Sequence, residues 1–111
     1  MNKIVRTKLG IDPKRLTPVS VSSEEGLSYL KKKILEEAQE VAEAKTTKEL
    51  AEELGDLLEV IECFYAREGL HHDYVKALKE VKLEEKGDFL EFERADDNLA
   101  FSYNLYVLDK E

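Results

Sequence analysis

The chain reads as a mainly α protein: an antiparallel helical hairpin, a third helix, and a C-terminal β-hairpin. Three observations lead there. Two long runs with apolar residues at i, i+3, i+4 and i+7 are separated only by "KTTKE" at 45–49. Serine or threonine followed three residues later by glutamate precedes each run, and glycine follows the second and third helical segments. After residue 88 the apolar period changes from helical to alternating.

Residues 1–22 mix basic, apolar and turn residues, and Pro13 and Pro18 break any long helix there. Ser22 with Glu25 fits a capping box, so the first helix is expected from about Ser23 to Ala44. Its stripe is Leu27, Leu30, Ile34, Leu35, Ala38, Val41 and Ala42. Thr46 with Glu49 forms a second box and opens a helix whose stripe is Leu50, Leu54, Leu57, Leu58, Ile61, Phe64 and Tyr65, stopped by Gly69. A third helix is expected over about His72–Lys86, ending at Gly87. In "LAFSYNLYV", Leu99, Phe101, Tyr103, Leu105 and Val107 share one strand face. With "DFLEFER" as partner and "ADDN" as turn, this predicts a hairpin over about Phe89–Leu108.

With 111 residues, one domain over 1–111 is expected, with a helical core over about 23–87. A domain this small buries a modest core, and the wide apolar arcs of the first two helices call for a second copy: a homodimer or a dimer of dimers. The net charge of −8 disfavours a nucleic-acid polymer or an anionic membrane as partner, but a divalent cation reverses the local sign for an anionic substrate. Cys63 is the only cysteine, so no internal disulfide framework exists and a reducing cytoplasm suits the chain. "MNKIVRTKLG" has no apolar core of a signal peptide, and no apolar run approaches a membrane span.

Residues 36–56 hold eight acids against two lysines. Such a stretch is most often a solvated face. Folding it at the Thr46–Thr47 junction divides the acids. Glu40 and Glu53 lie equally far from the turn, at roughly 10 Å for a rise of about 1.5 Å per residue, and Glu37 and Asp56 lie equally far at the next level, roughly 14 Å. Glu37 and Glu40 flank the apolar stripe on one side. Glu36, Glu43, Glu52 and Glu59 point away. Carboxylates about 5–6 Å apart repel by about 3 kcal/mol at an effective dielectric near 20. Held together, they need protons or a cation. Oxygen ligands without paired His or Cys suit Mg²⁺, with Mn²⁺ the next fit.

"KKILEEAQEVAEA" followed by "ELAEELGDLLEVI" resembles the MazG-type all-α nucleotide pyrophosphohydrolases, relatives of phosphoribosyl-ATP pyrophosphohydrolase. Their motif, E-x-x-E then E-x-x-D, matches Glu37, Glu40, Glu53 and Asp56, with a gap of 12 residues between the halves. "KIVRTKL" resembles the "KLVRDKI" start of one subgroup, with Thr7 in place of its aspartate. "KLEEKGDF" resembles that subgroup's ending, with Lys86 and Asp88 as departures. The resemblance implies a helical bundle completed by oligomerisation and Mg²⁺-dependent hydrolysis of a nucleoside triphosphate to the monophosphate and pyrophosphate, as in house-cleaning of nucleotide pools. It places the metal and the catalysis on Glu37, Glu40, Glu53 and Asp56. The alternatives are an enzyme acting on phosphoribosyl-ATP and a non-catalytic helical interaction protein.

Candidate substrate contacts are cations. Lys33 lies one turn before Glu37 and serves a phosphate or an i, i+4 bridge equally well. Arg6 and Lys8 reach a phosphate only if the N-terminal arm folds over the site; an exposed basic strand or arm is the simpler reading. Lys82 and Lys86 on the third helix stand at the same level of inference, with a solvated face the simpler reading. His71 and His72 read as loop or helix-start residues, Cys63 as packing, and Tyr29 and Tyr65 as core or interface.

Overall fold

In the computed structural model the described residues are 3–95, 98–105 and 107–108, with side-chain surroundings for 3–89, 105, 107 and 108. The chain divides into two compact units, Met1–His72 and Asp73–Glu111.

The first unit opens with an extended arm and a short 3-10 turn, Pro13–Arg15, where the Asp12 carboxylate accepts from the Lys14 N–H at 3.0 Å. Helix α1 is Glu24–Glu43. Its cap is Ser23, whose Oγ accepts from the Gly26 N–H at 2.9 Å and donates to the Ser20 carbonyl at 2.7 Å. The Ser22–Glu25 box expected from sequence is therefore off by one residue: the Ser22 hydroxyl instead pairs with Ser20 Oγ at 2.9 Å. A Cβ on Gly26 would stand 2.2 Å from the Ser20 carbonyl oxygen, so glycine lets the arm lie directly on the first turn of the helix.

Helix α2 is Thr47–Glu68, and α1 packs against it. Thr46 caps it as expected, accepting from the Glu49 N–H at 3.1 Å, while the Glu49 carboxylate reaches back to the Lys45 N–H at 3.0 Å. Gly69, at φ 64°, closes it in the left-handed region. The burial is slight. Among the described residues only Leu30 and Val60 are buried hydrophobics, and Leu50, Leu54 and Leu58 of the expected stripe are exposed. Leu35 is 71% exposed and Leu58 61%. The periodicity is right, but in one copy of the chain much of the stripe has nothing over it.

Helix α3, His72–Lys86, starts at the last residue of the first unit and otherwise belongs to the second, ending at Gly87 with φ 79°. Leu90–Ala95 (β1) and Asn98–Leu105 (β2) follow, paired antiparallel, with register shifts between Leu90 and Phe92 and between Glu93 and Arg94. Asp96 and Asp97 of the expected turn, and the side chains of the expected shared face up to position 104, lie outside the described residues. What the structure bears out is thus the mainly helical class with three helices, and the site rests on α1 and α2. Among the described residues, no helix is long and apolar enough to cross a membrane.

Candidate metal centre

The two helices deliver the acids as the mirror arithmetic requires. Glu37 and Glu40 on α1 and Glu53 and Asp56 on α2 each place a carboxylate oxygen so that all four lie within 4.8 Å of one another. The connection of Ala44 to Thr46 is too short to permit anything but an antiparallel return, so residues at matched distances from it face each other.

The environment is graded. Glu37 is buried at 5% exposure, Glu53 and Asp56 are half-buried, and Glu40 is exposed. Glu37 Oε2 and Glu53 Oε2 are both buried without a hydrogen-bond donor. A buried carboxylate oxygen without a donor is costly, and a cation is the usual remedy. Burial raises the Glu37 pKa above the usual glutamate range, helped by contact with Glu40 and opposed by Lys33. Contact with Glu53 raises that of Glu40, opposed by Glu37. These are carboxylates close enough to share a proton when no cation is present.

A single Mg²⁺ fits this donor set with a small contraction. With Mg–O near 2.1 Å, two oxygens on one ion stand at most about 4.2 Å apart, so a spacing bounded by 4.8 Å needs to close by no more than roughly half an ångström. Hard oxygen donors alone suit Mg²⁺ or Mn²⁺ and give no thiolate or imidazole for Zn²⁺.

Of the candidate cations, Lys33 is engaged with acids. Its Nζ lies 3.3 Å from Glu36 Oε1 and 3.3 Å from Glu37 Oε1. Burial works to lower the Lys33 pKa, but Glu36 and Glu37 outweigh it and hold it above the usual value. Glu36 is accordingly not a plain wet-face acid; it is half-buried against Lys33. Glu43 and Glu52 are exposed, as expected.

Arg6 does reach the site. Its Nη1 donates to both oxygens of Glu59, at 3.0 and 2.9 Å, and its Nη2 donates to Asp56 Oδ1. Glu59, expected to point away, is corrected: it shares one guanidinium with Asp56. The available signal was position, since Glu59 follows Asp56 by three residues on the same helix. Lys8 is exposed and makes no hydrogen bond or ion pair among the described residues. Lys82 and Lys86 are exposed on α3, in the second unit. His72 opens α3 and its ring stacks on His71 at 4.5 Å. Cys63 is exposed rather than packed, and with Arg6, Tyr29 and Leu30 it lines an open groove of about 950 Å³ under the arm.

The family model described as phosphoribosyl-ATP pyrophosphohydrolase matches residues 7–83, which include both acidic pairs. No curated protein and no solved structure matches the chain.

Proposed function

The chain belongs to the phosphoribosyl-ATP pyrophosphohydrolase family, within the MazG-like all-α superfamily, and from that premise we propose that it cleaves a nucleoside triphosphate, using Mg²⁺ held by Glu37, Glu40, Glu53 and Asp56. The observation that carries the reading is the pair of donorless buried oxygens, Glu37 Oε2 and Glu53 Oε2, within a set of four carboxylates drawn from two helices. Bound there, Mg²⁺ would neutralise the phosphates and acidify a water. The chain's own share is to hold the ion, to keep Glu37 dry, and to accept the water's proton on a carboxylate oxygen that the ion leaves free. Water oxygen adds at the α phosphorus, the bond to the bridging oxygen breaks, and pyrophosphate leaves with that electron pair.

Phosphoribosyl-ATP as the substrate is favoured by the family match itself and needs the same anhydride cleavage. Release of pyrophosphate from a panel of NTPs, dNTPs and phosphoribosyl-ATP, each with Mg²⁺ or EDTA, separates the two. Turnover of NTPs or dNTPs without phosphoribosyl-ATP supports the first reading. The reverse supports the second. No turnover, with no Mg²⁺ effect on melting, leaves the non-catalytic interaction protein.

The rest of the proposal concerns assembly and setting. Exposed Leu35, Leu54 and Leu58 support a homodimer or dimer of dimers in which a second copy covers the stripe. The family match runs through α3 to residue 83, which supports one domain spanning both units, with β1 and β2 as an extension of it. Lys33, Arg6, Lys8, Lys82 and Lys86 are the proposed substrate contacts, and the setting is the cytoplasm, where a house-cleaning role would apply.

A further inference from the structure

We propose that Glu59 is a positioning residue: it holds Arg6 beside the four carboxylates so that the guanidinium trades Asp56 for a substrate phosphate oxygen when a cation takes Asp56. The inference rests on the pyrophosphohydrolase reading above and goes beyond it in giving the bound and released states of one side chain.

The fork of Arg6 is divided between two acids of different kinds. Nη1 is committed to both oxygens of Glu59, and Nη2 to Asp56. Asp56 belongs to the carboxylate set that converges within 4.8 Å; Glu59 does not. A divalent cation on Asp56 takes the lone pairs that Nη2 uses and sets positive charge beside it. The Glu59 oxygens keep their lone pairs for Nη1 and attract the guanidinium against the cation's repulsion, because Glu59 lies one turn further along α2 and outside the four-carboxylate set. Arg6 therefore stays tethered at Nη1 while Nη2 is released next to the ion, where a bound phosphate must come. A planar guanidinium suits this exchange, since each edge can engage a different anion.

The arm makes the tether necessary. Residues 3–6 form no helix or strand, and the Arg6 side chain is half-exposed. No other carboxylate holds Arg6 among the described residues. The charge of Glu59 also cancels that of Arg6, so parking a cation here leaves the four-carboxylate set as negative as before.

The test is calorimetry on the full chain, first with Mg²⁺ alone and then with pyrophosphate in saturating Mg²⁺. The proteins are wild type, Arg6→Gln, Glu59→Gln, the double variant, and Arg15→Gln as a control for arm charge. Arg6→Gln should bind Mg²⁺ alone at least about threefold tighter, because the competitor for Asp56 is gone, while Arg15→Gln stays within about twofold of wild type. Pyrophosphate should bind about tenfold more weakly to Arg6→Gln and to Glu59→Gln, and no more weakly to the double variant than to Arg6→Gln. Wild-type pyrophosphate affinity in Glu59→Gln overturns the proposal. So does a Glu59→Gln loss of the same size in the Arg6→Gln background, since Glu59 would then act without Arg6. An equal Mg²⁺ gain in Arg15→Gln overturns the competition. If wild type itself binds neither Mg²⁺ nor pyrophosphate, the pyrophosphohydrolase reading falls first.

Discussion

Replacing Glu37 with glutamine should stabilise the metal-free protein and destabilise the metal-bound one. Three carboxylates place an oxygen within 4.8 Å of that of Glu37. At an effective dielectric near 20, each such pair of charges repels by about 3.5 kcal/mol or more, about 10 kcal/mol for three. Lys33 at 3.3 Å returns about 5 kcal/mol. The remaining 5 or so is an upper limit. Exposed Glu40 is screened by water and a shared proton relieves part of the rest, so about 1 kcal/mol is the expected gain in EDTA near pH 8. For a chain of this length that corresponds to roughly 4 °C in Tm. Excess Mg²⁺ should reverse the order, because at about 100 times its Kd a ligand adds about 2.7 kcal/mol to the wild type and less to a variant that lacks one ligand. Differential scanning calorimetry in EDTA and in Mg²⁺ reads both. If Glu37→Gln melts lower in both buffers, the four acids are not a frustrated set waiting for an ion, and the reasoning fails.

Four further outcomes follow from the same site and its frame. In EDTA, stability should fall as pH rises from the ordinary glutamate range through the raised values of Glu37 and Glu40, since the folded state binds those protons more tightly than the unfolded chain. Mg²⁺ affinity should rise over that window, with proton release visible by calorimetry in buffers of different ionisation enthalpy. Glu40→Gln and Glu53→Gln should each abolish Mg²⁺-dependent pyrophosphate release, whereas Glu52→Gln leaves it largely intact; Glu36→Gln should also retain activity. Equal loss in all four would mean that the division of the acids is wrong. Gly26→Ala should cost about 2 kcal/mol or more by driving a methyl group into the Ser20 carbonyl, read as a lower urea midpoint.

The site was legible where it depends on local arithmetic. Thr46 and Gly69 fix the ends of α2, and equal counts on either side of the turn bring Glu40 to Glu53 without knowledge of the rest of the fold. The Ser22–Ser23 slip arose because adjacent serines offer the same cap, and only the turn at Ser20 decides between them. Arg6 and Glu59 were harder. They meet across 53 residues, and the path of an arm without periodic structure leaves no pattern to count. The apolar stripe shows the opposite limit. Its phase is plain in the sequence, yet Leu35 and Leu58 are exposed in the single chain, because periodicity marks a face without naming what covers it.

The gradient from exposed Glu40 to buried Glu37 gives the site a direction. Mg²⁺ holds its hydration shell tightly and gives up waters reluctantly. An ion arriving from solvent would meet Glu40 with its shell nearly complete and exchange waters for oxygens one at a time, reaching the donorless Glu37 Oε2 last. Loading would then be a staircase of partial dehydrations instead of one steep step.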